Sequence, residues 1–89
     1  MLPNKDVFVE NGPMLDGRKL ARRLRALGWT YRCAWCSLER WKGKPLVLHL
    51  DHINGIHNDN RFVNLRFLCP NCHSQTETYC NRRRPNATL

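Results

Sequence analysis

The chain has 89 residues, and its 15 lysines and arginines against 7 aspartates and glutamates give a formal net charge of +8 and a pI of about 9.9. A chain of this length buries a modest fraction of its surface, so we expect a metal ion or disulfides to help stabilise it. No apolar run approaches the length that crosses a membrane, and residues 1–13 lack the apolar core of a signal peptide. We therefore expect a cytoplasmic protein with reduced cysteines and a polyanionic partner, most simply nucleic acid.

The first 28 residues divide into a turn-rich arm and a basic helix. Residues 1–15 are interpreted as the arm. Residues 16–27 predict a helix, because Asp16 can cap it and Gly28 can end it. Its apolar face carries Leu20, Leu24 and Leu27, and its opposite face carries Arg18, Arg22 and Arg25. Charged helix faces are most often solvated surfaces; the absence of acidic residues on this one favours phosphate contact as the alternative.

Four of the five cysteines form two pairs of identical spacing, Cys33 with Cys36 and Cys69 with Cys72. Two such pairs are what a tetrahedral zinc site needs, since each tight turn directs two thiolates to one point. The 32 residues between the pairs exceed a short zinc-ribbon spacing and leave room for a hairpin. Two disulfides or four buried thiols are the alternatives, but the pattern favours a structural Zn²⁺. Cys80 is left over.

The segment between the cysteine pairs predicts a hairpin. Apolar residues alternate over 46–53, which indicates a strand with His49 and Asp51 on the face opposite its leucines. A turn-prone stretch at 41–45 precedes it, a polar loop follows, and residues 64–68 predict the returning strand. Pro70 can open a helix that extends to about residue 79. The polar tail at 81–89 is predicted to be disordered.

The first predicted strand ends in two polar residues, Asp51 and His52, which a buried strand does not need. His73 follows Cys72 directly, so the zinc turn would hold it beside the end of the strand. A carboxylate and an imidazole converging there form a half-shell for a second cation such as Mg²⁺ or Mn²⁺. His52 points away from its neighbour and is free to act as a base. His49 is interpreted as a packed or surface residue.

These residues carry a resemblance to a known family. LDHIN at 50–54 and DNRFVNLRFLCPNCHSQT at 59–76 are similar to HNH endonucleases, the zinc-stapled form of the ββα-metal nucleases. The namesake residues of the family match His52, Asn64 and His73, and the resemblance covers about residues 31–80. It implies a small α+β fold with a zinc-stabilised ββα-metal (HNH) core, to which we assign residues 29–80. The basic helix is not part of the core motif, so the arm and basic helix at 1–28 and the basic tail at 81–89 are predicted from the residues themselves.

The resemblance also implies roles for the matched residues. Asp51 and His73 would bind one catalytic metal, which would be Mg²⁺, Mn²⁺ or another divalent cation. His52 would activate water as general base, and Asn64 would hold the loop so that His52 faces the phosphate. The family's usual products carry 5′-phosphate and 3′-hydroxyl ends. The expected function is a metal-dependent DNA endonuclease that nicks DNA or cuts both strands.

Several alternatives stay open. A non-catalytic zinc-ribbon DNA-binding module would explain the charge and the cysteines, but not Asp51, His52, Asn64 and His73 together. A zinc site of three cysteines and His73 is less favoured, because four well-spaced cysteines are present. Arg61 and Arg66 are candidate DNA contacts, or partners of Asp59 or Glu77. The chain could be a monomer or a homodimer, and by analogy a phage or mobile element is its most fitting bacterial setting.

Overall fold

The computed structural model describes residues 2–77, which form a small α+β fold. The elements in chain order are helix α1 (Asn4–Val7), helix α2 (Gly17–Ala26), strand β1 (Arg40–Trp41), strand β2 (Lys44–Pro45), strand β3 (His49–His52), a 3₁₀ turn (Phe62–Asn64), strand β4 (Leu65–Leu68) and helix α3 (Pro70–Ser74). Over these residues the strands pair as two separate antiparallel hairpins. The predicted tail and Cys80 lie outside the described residues.

Helix α2 matches its sequence prediction to within one residue at each end. The Asp16 side chain accepts a hydrogen bond from the backbone N–H of Arg18 at 2.8 Å, which caps the first turn. Gly28 has a φ of 103°, a left-handed conformation that glycine adopts readily and that ends the helix. Leu20 and Leu24 are fully buried, whereas Leu27, the C-cap residue, is exposed.

The N-terminal segment is more than the arm that its turn residues predicted. Helix α1 brings Val7 into the core, where it is fully buried, and the ring of Phe8 stacks on Phe62 at 4.8 Å between centroids. The backbone then runs along the polar loop: Gly12 donates to the carbonyl of Asn58, and Asn60 donates to the carbonyl of Val9. The arm is thereby packed against the loop that joins β3 and β4.

Strands β3 and β4 form the central hairpin, in a register that places Asp51 opposite Arg66 and His52 opposite Leu65. Strand β3 is shorter than the predicted 46–53. The N–H of Leu48 donates to the Tyr31 hydroxyl at 2.9 Å, so pairing with β4 starts only at His49. Strand β4 begins at Leu65 because residues 62–64 form a 3₁₀ turn.

The sequence predictions for the turn-prone stretch at 41–45 and for the last helix are met in part. The turn-prone stretch forms the β1–β2 hairpin, with Lys42 and Gly43 at φ values of 52° and 81°. Helix α3 begins at Pro70 as predicted but ends at Ser74 rather than near residue 79. It stops where the Thr76 backbone and hydroxyl both donate to the His73 carbonyl. Among residues 2–77, no helix is long and apolar enough to cross a bilayer.

Candidate active site

The four paired cysteines converge on one point. Their sulfur atoms all lie within 4.8 Å of one another, and Cys36 Sγ is 3.7 Å from Cys69 Sγ. A tetrahedral site with Zn–S bonds of about 2.3 Å requires sulfur separations of about 3.8 Å. The two turns are built alike, since Cys36 donates its N–H to Cys33 Sγ and Cys72 donates its N–H to Cys69 Sγ, both at 3.5 Å. The cluster therefore has the composition and geometry of a metal site.

The electrostatics of the cysteine cluster also favour a cation. Burial works against ionisation of Cys33, yet backbone N–H groups from Cys36, Cys69 and Trp35 lower the pKa of its thiol to about 6. Burial and the neighbouring thiols raise the pKa of Cys72 to about 12. The Cys33 thiol therefore ionises readily, whereas the surroundings of Cys72 disfavour its thiolate. A bound divalent cation would stabilise both thiolates.

The cysteine cluster holds α3 against the β3–β4 hairpin. The N–H of Ala34, inside the first cysteine turn, donates to the carbonyl of Phe67 in β4 at 2.8 Å. Cys69 caps α3 through its sulfur, and its carbonyl accepts the N–H of His73 at 2.8 Å. This places the His73 ring beside the ring of His49 in β3, with 4.8 Å between their centroids.

Asp51 and His73 are brought together as the sequence predicts. Asp51 is buried; its Oδ1 lies 3.5 Å from His73 Nε2, and its Oδ2 accepts a hydrogen bond from Arg66 Nε at 2.8 Å. On the other side of the ring, His73 Nδ1 shares a hydrogen bond of 2.7 Å with Nδ1 of His49. One carboxylate and two imidazoles thus meet at the face where β3 and α3 touch.

The surroundings of the His73 imidazole favour its neutral form. Burial lowers its pKa below the ordinary value; the nearby Asp51 carboxylate opposes this, and His49 and Arg66 add to the lowering. A neutral ring has a nitrogen lone pair available for a metal, which a protonated ring does not. The Asp51 carboxylate and the His73 ring therefore offer one oxygen and one nitrogen donor to a divalent cation that accepts both.

His52 lies at the end of β3, in the same cleft as Asp51 and His73. The cleft has a volume of about 430 Å³. The Nε2 atom of His52 is 2.9 Å from Oδ1 of Asn60, which is fully buried. The two neighbours, Asp51 and His52, alternate in direction along the strand yet both reach this cleft, so a ligand in it would meet both side chains.

Asn64 holds the loop from which the cleft is built. Its Oδ1 accepts from the backbone N–H of Asn54 at 3.0 Å, and its Nδ2 donates to the carbonyl of Asp59 at 2.8 Å. Asp59 is buried and forms a two-point ion pair with Arg61, at 2.8 and 2.7 Å. The Arg61 guanidinium holds the pKa of Asp59 well below its usual range. Asn64 acts on the loop backbone rather than on His52 directly.

The chain is similar in sequence to a known protein. The chain is 37% identical over 76 residues to a curated protein of Escherichia phage T5, the H-N-H endonuclease F-TflIV, and the match covers 84% of this chain. This chain belongs to the HNH endonuclease family. It spans 34% of the length of that relative, so the match describes a part of the larger protein. No family model matches the chain, and no solved structure matches it significantly.

Residues 2–77 contain the ββα unit that the resemblance implied. Strands β3 and β4 followed by α3 form the ββα unit, and the cysteine cluster lies beside it. The basic helix α2 precedes this unit and packs across β3. The sequence prediction of a small α+β, ββα-metal fold with an N-terminal basic helix is confirmed.

The arginines of α2 line a second cleft of the HNH domain. This cleft, about 820 Å³ between α2 and β3, adjoins the first and shares Leu50 with it. Arg18, Arg22 and Arg25 form one of its walls. Arg25 lies 4.3 Å above the ring of Tyr31, and among residues 2–77 neither Arg18 nor Arg22 forms an ion pair. Arg18 and Arg22 therefore face the cleft as positive charges that are unpaired within the described part of the chain, and Asp16, an acid that also lines it, caps α2.

The other two candidate DNA-contact arginines have partners within the HNH domain. Arg61 pairs with Asp59, one of the two acids that the sequence left open. Arg66 pairs with Asp51 instead of either expected acid, and its guanidinium lies 4.9 Å above the ring of Trp35. Their contact with DNA stays a prediction.

Sequence reasoning missed two residues of this HNH site. His49, interpreted as a packed or surface residue, is packed, but its hydrogen bond to His73 was not foreseen; its position two residues before Asp51, on the same strand face, was the available signal. Asn60 contacts His52, but four asparagines occur between residues 54 and 64 and no spacing rule singles out this one.

Proposed function

We propose that this chain supplies the nuclease domain of a metal-dependent DNA endonuclease, which hydrolyses phosphodiester bonds in the cleft at the end of β3. The observation that carries the proposal is the meeting of Asp51, His52 and His73 in one cleft, beside a loop fixed by Asn64. The name of the phage relative supports this reaction class. A DNA-binding module without catalysis has no need for such a cluster. The setting that we propose is the cytoplasm of a bacterial host.

A divalent cation would be held by Oδ1 of Asp51 and by Nε2 of the neutral His73 ring, which lie 3.5 Å apart, while His49 would orient that ring through its Nδ1. Oδ2 of Asp51 is already bonded to Arg66, which leaves Oδ1 as the oxygen offered to a cation. When bound, the cation would neutralise charge on the phosphate and stabilise the leaving 3′ oxygen. Carboxylate oxygen suits Mg²⁺ and Mn²⁺, and the His73 imidazole favours Mn²⁺ over Mg²⁺.

His52 would act as general base in this reaction. Its position at the end of β3 places the imidazole at the same cleft as the proposed metal donors. It would accept the proton of a water molecule that attacks the phosphorus, leaving 5′-phosphate and 3′-hydroxyl ends. Asn64 would support this step by fixing the loop backbone around residues 54 and 59.

The cysteine cluster would bind a structural Zn²⁺ through Cys33, Cys36, Cys69 and Cys72. Four sulfur ligands fill a tetrahedral site, so this ion would have no position open for substrate. Its role would be to fasten α3, and with it His73, to the central hairpin. The chain would then need two different cations, one for folding and one for the reaction.

The cleft between α2 and β3 is our proposed path for the DNA backbone. Arg18 and Arg25, the outer two of the three arginines that line it, are seven positions apart on the helix, or about 10 Å. At about 3.4 Å of rise for each phosphate of a strand, this matches about three phosphates. The cleft leads past Leu50 to the cleft of His52, so a strand held by the arginines would reach the proposed reaction site.

The test is cleavage of supercoiled plasmid by the zinc-loaded chain. We expect nicked or linear DNA with Mg²⁺ or Mn²⁺, none with excess EDTA, and little with His52→Ala. DNA binding that survives EDTA, without cleavage by the wild-type chain in either cation, would support the zinc-ribbon binding module instead. Cleavage at an equal rate by wild type and His52→Ala would overturn the assigned mechanism.

A further inference from the structure

Asn60 connects the N-terminal arm to the base that we assign to His52. Its side chain is completely buried, with Oδ1 2.9 Å from His52 Nε2 and Nδ2 2.9 Å from the carbonyl oxygen of Pro13. Its backbone N–H donates to the carbonyl of Val9 at 2.9 Å. One residue therefore contacts His52 on one side and two positions of the arm on the other.

These contacts determine which nitrogen of His52 carries the proton. A proline carbonyl only accepts hydrogen bonds, so the NH₂ group of Asn60 must face Pro13. Oδ1 of Asn60 then faces His52, and because this oxygen only accepts, Nε2 of His52 must be the donor. In the neutral ring the lone pair then resides on Nδ1, which is the atom left to accept a proton.

The arm fits closely against Asn60, and Gly12 makes this fit possible. A Cβ atom at Gly12 would lie 2.5 Å from the carbonyl oxygen of Val7 and 2.8 Å from Nδ2 of Asn60. Both distances are shorter than non-bonded atoms tolerate, and the first involves backbone, which cannot rotate away. The arm is further tied by the bond from Gly12 N–H to the carbonyl of Asn58 at 2.8 Å.

We propose that Asn60, held by the arm at residues 9–13, is a positioning residue that fixes His52 with Nδ1 as the proton acceptor. The inference rests on the proposed function, since it assumes that His52 is the base. It assigns part of the catalytic machinery to a segment outside the matched HNH motifs. An asparagine that merely packs the loop would influence stability alone; this one also sets the orientation and the protonated nitrogen of His52.

The first experiment compares Asn60→Ala with Asn58→Ala in the full zinc-loaded chain. Asn58 is the matched control, because within residues 2–77 it offers its backbone carbonyl to Gly12 but no side-chain hydrogen bond. NMR at mildly alkaline pH should show a protected Nε2–H proton on His52 in wild type and in Asn58→Ala. The signal should be lost in Asn60→Ala. Its persistence there would overturn the inference.

Kinetics give the second readout. Asn60→Ala should lower kcat for DNA cleavage by up to about 100-fold, the scale of a misplaced catalytic group, with KM for DNA unchanged. A folded Asn60→Ala that cleaves at the kcat of wild type would overturn the inference. Failure of the wild-type chain to cleave would overturn the proposed function instead, so the two failures are distinguishable.

A glycine pair keeps the inference testable if Asn60→Ala does not fold. Gly12→Ala should displace Asn60 through the arm and remove the His52 Nε2–H signal, although Asn60 is still present. Gly17→Ala is the control, because its Cβ would meet only Leu50 Cβ at an ordinary 3.8 Å, and it should keep the signal. An unchanged signal in Gly12→Ala would show that the arm does not hold His52, against the inference.

Discussion

The two ends of the β3–β4 hairpin are stabilised in different ways. At the end where His49 faces Leu68, four cysteines converge and hold α3. At the end where His52 faces Leu65, a polar loop is held by asparagine hydrogen bonds and the ion pair of Asp59 with Arg61. A metal bond needs little surrounding structure, whereas a hydrogen-bond network needs every partner in place. The first end suits a fold anchor and the second suits a precisely oriented base.

The largest effect should come from the cysteine end. Cys69→Ser removes one sulfur from the cluster, and zinc sites of this kind contribute about 10–16 kcal/mol of binding energy that is also folding energy. We expect the chain to lose its zinc and unfold, as measured by elemental analysis and circular dichroism. Cys80→Ser, outside the two pairs, is the control and should retain one zinc per chain. A Cys69→Ser variant that stays folded without zinc would show that folding of the cysteine end does not depend on a metal ion.

The second largest effect should come from the loop end, where a substitution should lower the rate of DNA cleavage rather than the stability of the fold. His52→Ala should reduce plasmid cleavage by about 10²–10⁴-fold, the usual contribution of a general base. The variant should keep its fold, its zinc and its DNA affinity. Asp51→Ala and His73→Ala should differ from it, because raising the Mn²⁺ concentration should restore part of their activity. Equal rescue of His52→Ala by Mn²⁺ would argue that His52 acts through the cation.

The α2 arginines test whether DNA reaches the loop end along the proposed path. Replacing Arg18, Arg22 and Arg25 together by glutamine should weaken binding to all sequences and reduce the salt slope by about one for each phosphate that is no longer bound. The fold should persist, since the buried leucines are untouched. The control of equal charge is Arg23, Arg32 and Arg40 replaced by glutamine, residues whose side chains bond within the protein. If both triple variants lower the slope equally, net charge rather than the cleft binds DNA.

The smallest effect should be local opening at the loop end. Arg61→Gln leaves the buried Asp59 carboxylate without its main partner, so we expect faster hydrogen exchange of the backbone amides of Asn54 and Arg61, with zinc content unchanged. The companion variant Arg32→Gln removes an exposed pair with Glu39 and should leave these amides as protected as in wild type. Equal exchange rates in the two variants would contradict a stabilising role for the Asp59 pair.

On acidification, the cysteine end should fail before the loop end. Because the pKa of folded Asp59 lies below its ordinary value of 3.8, its pair adds stability above that pH and loses it only as the pH falls further. Zinc needs deprotonated thiols and is released earlier on acidification. We therefore expect zinc release, followed with a metal-sensitive dye, to coincide with unfolding above pH 3.8. If unfolding preceded zinc release, the loop end would be the less stable of the two ends in acid.

Sequence alone determined the parts of this protein that depend on local spacing. The cysteine pairs predicted their cluster because two residues between cysteines are enough to form each turn. Helix α2 was predicted from a cap, a terminal glycine and a leucine period, all of which act within a few residues. The family motifs likewise indicated the ββα unit, since their order along the chain mirrors the order of its elements.

Tertiary structure decided which side chains meet across long sequence separations. Tyr31 shortens β3 by binding Leu48, His49 bonds to His73, Arg66 pairs with Asp51, and Asn60 reaches Pro13 across 47 positions. No periodic pattern encodes such partners, because each depends on how separate elements pack and on which polar groups burial leaves without water. The family motifs predicted His52 as the base; only the packing of the arm and loop decided that its Nε2 faces Asn60.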